Sequence, residues 1–261
     1  FIFERDSAKI YISNDKRITK MFGLGTILNV ALILAGGLFG MLFGKLIKEQ
    51  MADTLTKTCG VSVLFIGIAG ALEGMLSVEE GGVVSQNAVF TVVCLLIGAL
   101  VGEIINIEGW FERFGEWLKV KTGNAKDKSF VDGFINASFT VCIGAMAIVG
   151  SIQDGIYHDY SILLTKGILD MIIIMVMTAS LGKGPLFSFI PVFLLQGSIT
   201  VLSKLIVPVL TDESLGYLSM IGSILIFCVG LNLVWGKKIR VANMLPAVIF
   251  AVAYAFLPFK F

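Results

Sequence analysis

The chain has 261 residues, of which 56% are hydrophobic and only 15% are charged, with a net charge of +1 and a mean hydropathy of +0.91. A soluble domain carries roughly a quarter charged residues, so this composition excludes an ordinary soluble protein. The near-zero net charge gives no basis for a nucleic-acid partner. The composition therefore predicts an all-α, polytopic integral membrane protein whose first partner is the lipid bilayer.

Residues 1–20 differ from the rest of the chain because they are polar and mixed in charge. They precede Met21, which stands directly before the first apolar run in the position of an initiator. We expect residues 1–20 not to belong to the native family sequence. Residues 21–261 are predicted to form a single transmembrane domain.

Eight apolar stretches follow, each of about twenty residues, the length that crosses a hydrocarbon core of ~30 Å. They predict eight transmembrane spans, at 23–44, 58–77, 87–106, 132–153, 161–182, 184–207, 216–236 and 241–258. Lys and Arg are concentrated in the loops on one side, which the positive-inside rule assigns to the cytoplasm. Both ends of the chain are then predicted to lie outside.

The segment 108–121, between the third and fourth spans, has a different pattern. Its aromatic residues and leucine recur at helical spacing, with charged residues on the opposite side. This pattern predicts an interfacial amphipathic helix on the membrane surface. The alternative is a helix whose apolar side packs on a neighbouring element.

The first and sixth spans align with an offset of 159 residues, and smaller shifts extend the match into the following spans. Gly25 then matches Gly184, and Asp53 matches Asp212. The alignment predicts that spans 1–3 and 6–8 form an inverted repeat, because an odd number of spans separates their starts. Secondary transporters are commonly built in this way.

A carboxylate at membrane depth costs at least ~2–3 kcal/mol on insertion scales, so such groups face other helices or water. Asp170 lies about nine residues into the fifth span and is the deepest carboxylate in the sequence. Lys166 precedes it by one helical turn and can pair with it. Two interpretations stay open, a structural ion pair and an ion or proton site.

The sixth span contains Pro191, followed by Gln196 and Ser198. A proline removes one backbone hydrogen bond and frees a carbonyl, so we predict a helix break at Pro191. Freed carbonyls with the Gln196 and Ser198 oxygens would suit a small cation. The alternative is a simple kink beside a hydrogen-bonded glutamine.

Two asparagines, Asn29 in the first span and Asn136 in the fourth, complete the predicted ion- or substrate-binding set with Asp170, Gln196 and Ser198. Interhelical hydrogen bonding is the competing role for both asparagines. Other acidic residues lie near span ends, where we expect their side chains to be exposed to water: Glu73, Glu103, Glu108, Asp132 and Asp154.

The glycine-rich helix faces in the first and third spans include Gly36, Gly40, Gly98 and Gly102. Their small-xxx-small spacing predicts close packing, within one chain or in a homo-oligomer.

The sequence contains no nucleotide-binding loop, zinc signature or nucleophile elbow. The four cysteines show no paired metal spacing, and His158 is the single histidine. We therefore predict no catalytic residues, no metal, no cofactor and no enzyme activity.

Four segments resemble a bacterial family of membrane proteins known as domain of unknown function 554. They are GTILNVALILAGGLFGMLFGK (25–45), CIGAMAIVGSIQDG (142–155), PVFLLQGSITVLS (191–203) and GLNLVWGKKIRVANMLPA (230–247). The resemblance covers essentially all of 21–261 and implies a location in the bacterial cytoplasmic membrane. A transport role is commonly supposed for the family.

The first functional hypothesis is a transporter or permease that moves an ion or small solute by alternating access. Its site would lie where spans 1, 4, 5 and 6 meet. An oligomeric channel is the second hypothesis, and it requires a continuous polar stripe. The third is a non-transporting sensor or assembly protein.

Overall fold

The computed structural model describes residues 22–44, 46, 48–79, 82–207 and 211–258, and the predicted polar segment 1–20 lies outside them. The described chain is helical apart from one short hairpin. Its helices are α1 Leu24–Gly44, α2 Glu49–Met75, α3 Ala88–Ile105, α4 Ile107–Lys121, α5 Phe130–Cys142, α6 Ala145–Tyr157, α7 Ser161–Leu181, α8 Phe189–Ile206, α9 Asp212–Trp235, α10 Val241–Met244 and α11 Pro246–Tyr254. A 3-10 helix, Gly184–Ser188, leads directly into α8.

The polytopic helical fold agrees with the sequence prediction. Among the described residues, six helical segments are long and apolar enough to cross a membrane: α1, α2, α3, α7, the 3-10 helix with α8, and α9. The bent pair α5 and α6 makes a seventh span if it crosses as one unit, and Val241–Tyr254 is a shorter apolar helix. The predicted count of eight is therefore approximate.

The second span differs from its prediction at both ends. The sequence placed it at 58–77, whereas α2 begins nine residues earlier, at Glu49, and ends at Met75. Strand β1 Leu76–Glu79 follows α2 directly and pairs antiparallel with β2 Gly82–Ser85. The hairpin was not predicted, because each strand has only four residues and the second shows no alternating pattern.

The fourth span is broken, which the prediction of one helix at 132–153 missed. Helix α5 ends at Cys142, α6 begins at Ala145, and the two are bent by 60°. Gly144 lies between them with φ at 149°, a conformation that favours glycine. Because hydropathy is high on both sides of Gly144, the sequence alone reads as one continuous span.

The sixth span is continuous where a cation-binding interruption was expected. Pro191 is the third residue of α8, so its missing N–H falls in the first turn, where backbone donors lack helical partners anyway. The irregularity lies earlier, where the 3-10 helix changes into α8. Residues 196–198 are regular helix.

Glycines let α1 and α7 pack closely side by side and in the same direction. A Cβ at Gly36 would collide with the Met171 carbonyl, and one at Gly40 with the Met175 carbonyl. In α3, Gly102 similarly faces the Asn243 backbone of α10. These glycine faces are therefore occupied by contacts within the chain.

The amphipathic segment is the helix α4, which Asn106 caps through a hydrogen bond from the Gly109 N–H. Part of its apolar side packs on α5, with Phe111 against Phe139 and Phe114 against Phe134. Its tryptophans, Trp110 and Trp117, are exposed. The helix thus combines packing on a neighbour with an exposed aromatic edge suited to a membrane interface.

The helix directions define two faces of the protein. We call the first face the side where α1 and α7 begin and where α6 and α8 end. The second face carries α4 and the loop between α9 and α10. A continuous apolar core that includes Ile33, Phe130, Phe134, Ile174 and Val192 lies between the helices.

Candidate functional site

A buried polar stack lies where α1, α6, α7 and α8 meet. Its residues are Thr26, Asn29, Asp154, Lys166, Asp170, Gln196 and Thr200, each at most 7% exposed. In its middle, the Asn29 amide donates to the Gln196 side-chain oxygen at 3.2 Å. One turn nearer the first face, the hydroxyls of Thr26 and Thr200 lie 3.3 Å apart.

Lys166 and Asp170 form the charged part of the buried polar stack. They make an ion pair one turn apart on α7. The Lys166 ammonium also donates to the Val141 carbonyl oxygen at 2.7 Å, at the broken end of α5. The Asn29 side chain lies beside the Asp170 carboxylate and joins the charged pair to the amide pair.

Asp154 closes the buried polar stack at its first-face end. Its Oδ2 accepts the backbone N–H of Thr26 at 3.2 Å, and the Gly25 N–H also donates to this carboxylate. The carboxylate of α6 thereby satisfies orphan donors at the start of α1, where the helix dipole favours negative charge. His158 follows one turn later, half-buried in the loop to α7.

The stack is bounded by aliphatic residues on the second-face side. Three helices each change from a polar to an aliphatic residue within one turn toward that face. The pairs are Asn29 and Ile33 in α1, Asp170 and Ile174 in α7, and Gln196 and Val192 in α8. All three aliphatic side chains are 0% exposed and belong to one apolar core. The polar interior is therefore asymmetric between the two faces.

Several polar atoms of the stack have no protein partner. Among the described residues, the buried atoms without a hydrogen bond are Asn29 Oδ1, Asp154 Oδ1, His158 Nδ1, Thr178 Oγ1, Ser188 Oγ and Gln196 Nε2. The amide pair at its centre therefore offers one free acceptor and one free donor. Unsatisfied buried polar groups cost about 1–3 kcal/mol each, so a ligand or water that pairs with them is stabilised.

Three of the five predicted binding residues come together, and two do not. Asn29, Asp170 and Gln196 meet in the buried polar stack. Ser198 is exposed on the opposite side of α8, where its hydroxyl donates to the Leu195 carbonyl. Asn136 instead lines a small cleft near the second face. Ser198 lies apart because two residues along a helix turn a side chain about 200° away from Gln196. Asn136 lies apart because it is on the part of α5 that is near the second face.

The acids at the span ends divide into two groups. Glu73, Glu103 and Asp132 are exposed, as predicted, whereas Asp154 and Glu108 are buried. The position of Asp154 near the end of α6 is a signal that sequence reasoning missed, because a helix C-terminus disfavours a carboxylate unless it has partners. No comparable signal marks Thr26 or Thr200, whose pairing depends on the packing of α1 on α8.

A second polar cluster, the corner network, lies at the second face. It consists of Glu103, Asn106, Glu108, Glu112, Lys237, Arg240 and Asn243. Glu108 is 2% exposed and pairs with Lys237 at 2.9 Å. Its carboxylate also accepts the Ala242 N–H at 3.0 Å, and its own N–H donates to Asn243. These contacts join α4 to α10 and to the loop before it.

An apolar groove of about 750 Å³ runs between α4, α5, α8 and α9. Trp110 and Phe114 line one part of it, and Ile143, Pro191 and Leu194 line another. The lining is almost wholly hydrocarbon, so it offers an ion or polar solute very little. The buried polar stack is therefore the better candidate site.

The titratable groups of the described residues do not form a metal centre. No cluster of three or more His, Cys, Asp or Glu side chains there has an arrangement that could hold a metal ion. The candidate site instead combines two carboxylates, one ammonium, two amides, two hydroxyls and a backbone carbonyl. Such a set binds small ions or polar groups by charge and hydrogen bonds.

Comparison with known proteins identifies the chain's relatives. The model of the family described as "Protein of unknown function (DUF554)" matches residues 24–256. The chain belongs to this family. The resemblance of the four sequence segments is thereby confirmed, and the matched range contains every residue of the buried polar stack.

Two relatives of the DUF554 chain have been described by name. It is 28% identical over 225 residues to "Uncharacterized membrane protein YdfK" of Bacillus subtilis (strain 168), covering 86% of this chain and 92% of the relative. It is 27% identical over 233 residues to "Uncharacterized protein YqgA" of Escherichia coli (strain K12), covering 88% and 94%. No solved structure matches the chain.

Proposed function

We propose that this DUF554 protein is a permease that moves an ion or small polar solute across the bacterial cytoplasmic membrane by alternating access. The observation that carries the proposal is the buried polar stack, with unpaired amide atoms at its centre and an ion pair beside them. Intramembrane ionisable residues are costly and mark ion or substrate pathways. The proposal assigns no catalytic step.

The asymmetry of the stack favours alternating access over a channel. Polar side chains continue from Gln196 to Thr200 and Asp154 toward the first face, while Ile33 and Val192 close the other direction. An open channel needs a polar stripe through the whole membrane. A site that is polar on one side and sealed on the other suits a carrier in an occluded state.

The helix contacts support the predicted inverted repeat of spans 1–3 and 6–8. Each predicted pair of equivalent spans is in contact: α1 with α8, α2 with α9, and α3 with α10 and α11. Helix α1 also packs along α7 in the same direction, as α8 packs along α6. Exchanging the two halves therefore maps the contacts of α1 with α7 onto those of α8 with α6, which favours two units that rock about a central site.

The orientation follows from the charges of the loops. The second face carries Lys237, Lys238 and Arg240 beside α10, and Lys119 and Lys121 at the end of α4. We assign this face to the cytoplasm by the positive-inside rule. Both chain ends, and the first-face end of the buried polar stack, then lie outside.

The test is charge movement in proteoliposomes on a solid-supported membrane, with alkali-metal cations and halides applied in turn. Uptake of radiolabelled zwitterionic amino acids, which carry no net charge, is measured beside it. We expect a transient current for at least one class with the wild type. Asp170→Asn and Gln196→Ala should reduce it at least tenfold, because they remove the charge and the central amide. Ser198→Ala, on the exposed side of the same helix, is the matched control and should leave the current unchanged.

Two results would contradict the proposal. The first is the absence of both current and radiolabelled uptake above empty liposomes for every class applied to folded wild-type protein. The second is a current in Asp170→Asn and Gln196→Ala that is as large as the current in the control variant Ser198→Ala.

A further inference from the structure

We propose that the Lys166 ammonium occupies the seat of a monovalent alkali-metal cation, formed by the Asp170 carboxylate and the Val141 carbonyl, with the Asn29 amide next to them. This inference rests on the proposed function and deepens it by naming the ion class. Occupation by Lys166 and occupation by the metal ion exclude each other, so the described structure is the form in which the protein's own side chain fills the seat.

The geometry of the ammonium is that of a cation held by oxygens. Lys166 Nζ lies 2.7 Å from the Val141 carbonyl oxygen and pairs with the Asp170 carboxylate. The side chains of Lys166 and Asp170 are 8% and 7% exposed. Carboxylate and carbonyl oxygens are also the ligands that hard metal cations prefer.

The Val141 carbonyl is available because the fourth span is broken. Helix α5 ends at Cys142, so carbonyls in its last turn lack partners within the helix. In a membrane interior such carbonyls must be satisfied by other protein groups, water or an ion. The C-terminal ends of broken helices coordinate cations in several transporter folds. Here the Lys166 ammonium takes the place of the cation and satisfies the Val141 carbonyl.

An unused acceptor lies beside the ion pair. Asn29 Oδ1 has no hydrogen-bond partner, although its side chain is fully buried. A Cβ on Gly167, the residue after Lys166, would lie 3.2 Å from this oxygen. The amide oxygen therefore faces α7 at the residue next to Lys166, and it is free to act as a further ligand when a cation replaces the ammonium.

Charge balance selects a monovalent ion. Lys166 carries one positive charge and neutralises the single negative charge of Asp170. One alkali-metal ion restores the same balance when the ammonium is absent. A divalent ion would leave an excess positive charge in a low-dielectric interior, which is costly.

The experiment measures the melting temperature of Lys166→Met in detergent, in sodium, potassium, lithium or choline chloride at constant ionic strength. We expect one alkali-metal ion to raise the melting temperature over choline by roughly 5–10 °C at about a hundred times its dissociation constant. Wild type should show a much smaller rise, because the ion must first displace the Lys166 ammonium. Lys204→Met, on the exposed side of α8, is the matched control and should behave as wild type.

The double variant Lys166→Met/Asp170→Asn removes the carboxylate and should lose the response. Lys166→Gln is the second single variant, and it keeps a donor for the Val141 carbonyl. The proposal is overturned if neither single variant responds to an alkali-metal ion, or if calcium stabilises them more strongly. Failure of both variants to purify in all three alkali-metal salts also counts against it, because the ion should replace the ammonium.

The outcomes separate this inference from the proposed function. Cation stabilisation of Lys166→Met with no current from the wild type would support the seat and contradict the permease. Wild-type current with no cation response in the variants would support the permease and contradict the seat.

Discussion

The buried polar stack and the corner network are both built from charged and amide side chains, but they differ in how completely those side chains are paired. In the stack, Asn29, Asp154 and Gln196 each leave one atom without a protein partner. In the corner network, no buried side-chain atom of the described residues is left unpaired. The two regions lie in one small protein, so composition alone does not explain the difference.

The contrast teaches how to separate structural polar groups from binding groups. A fully paired network fixes elements in place and gains nothing from a ligand. A partly paired network leaves donors and acceptors that only a ligand or water can satisfy. We therefore interpret the corner network as the attachment of α4 and the buried polar stack as the site.

The largest effect is expected from Glu108→Ala in the corner network. Its removal leaves the Ala242 N–H without its acceptor and takes one of the two carboxylates from Lys237. Breaking such a buried pair should cost about 2–4 kcal/mol of unfolding free energy. Thermal unfolding in detergent measures the loss, while the current per folded molecule should stay at its wild-type level.

Glu112→Ala is the matched control for Glu108. It removes the other carboxylate on Lys237, but the Glu112 side chain is 44% exposed. An exposed pair contributes less than about 1 kcal/mol. Equal losses in the two variants would show that burial does not distinguish these acids.

A smaller loss of stability is expected from Gln196→Leu in the buried polar stack. The substitution removes one hydrogen bond to Asn29 and also an unpaired Nε2, so the net cost should be about 1 kcal/mol. Charge movement should nevertheless fall at least tenfold. A loss of stability as large as that of Glu108→Ala would break the comparison, because it would make Gln196 a structural residue.

The smallest effect is a pH dependence at Lys237. Burial lowers the pKa of Lys237, but hydrogen bonds to Glu112 and Glu108 outweigh it, so the pKa is raised above the ordinary value of a lysine. Because the folded pKa exceeds the unfolded one, the ion pairs stabilise fully below about pH 10.5 and are lost as the pH rises through the folded value.

Melting temperatures of wild type and Lys237→Met between about pH 8 and pH 11.5 measure this dependence. The difference between them should be constant up to about pH 10 and should shrink above it, by less than about 1 kcal/mol for a partly exposed pair. Lys238→Met, the exposed neighbour, should differ from wild type by the same amount at every pH. A Lys237→Met difference that grows with pH would contradict the assignment.

Much of the site could be predicted from residue type and depth, but not all of it. Asp170, Gln196 and Asn29 stand out because polar groups on apolar helices need partners. Ser198 and Asn136 stand out for the same reason, but the structure places them away from the other three. When every side of a helix is apolar, the sequence does not indicate which side faces the protein interior. The packing of α1, α7 and α8 was therefore needed to define which polar residues share the site.

The sequence by itself determined that this protein is helical and crosses a membrane, because the length and hydropathy of its apolar runs follow from bilayer thickness. The sequence was also sufficient to assign the chain to its family. Tertiary structure alone decided that the fourth span breaks at Gly144, since glycine in an apolar run fits either a helix or a bend. It also decided that Lys166 reaches across to the Val141 carbonyl of another helix, because a contact between distant residues depends on packing, which local patterns do not encode.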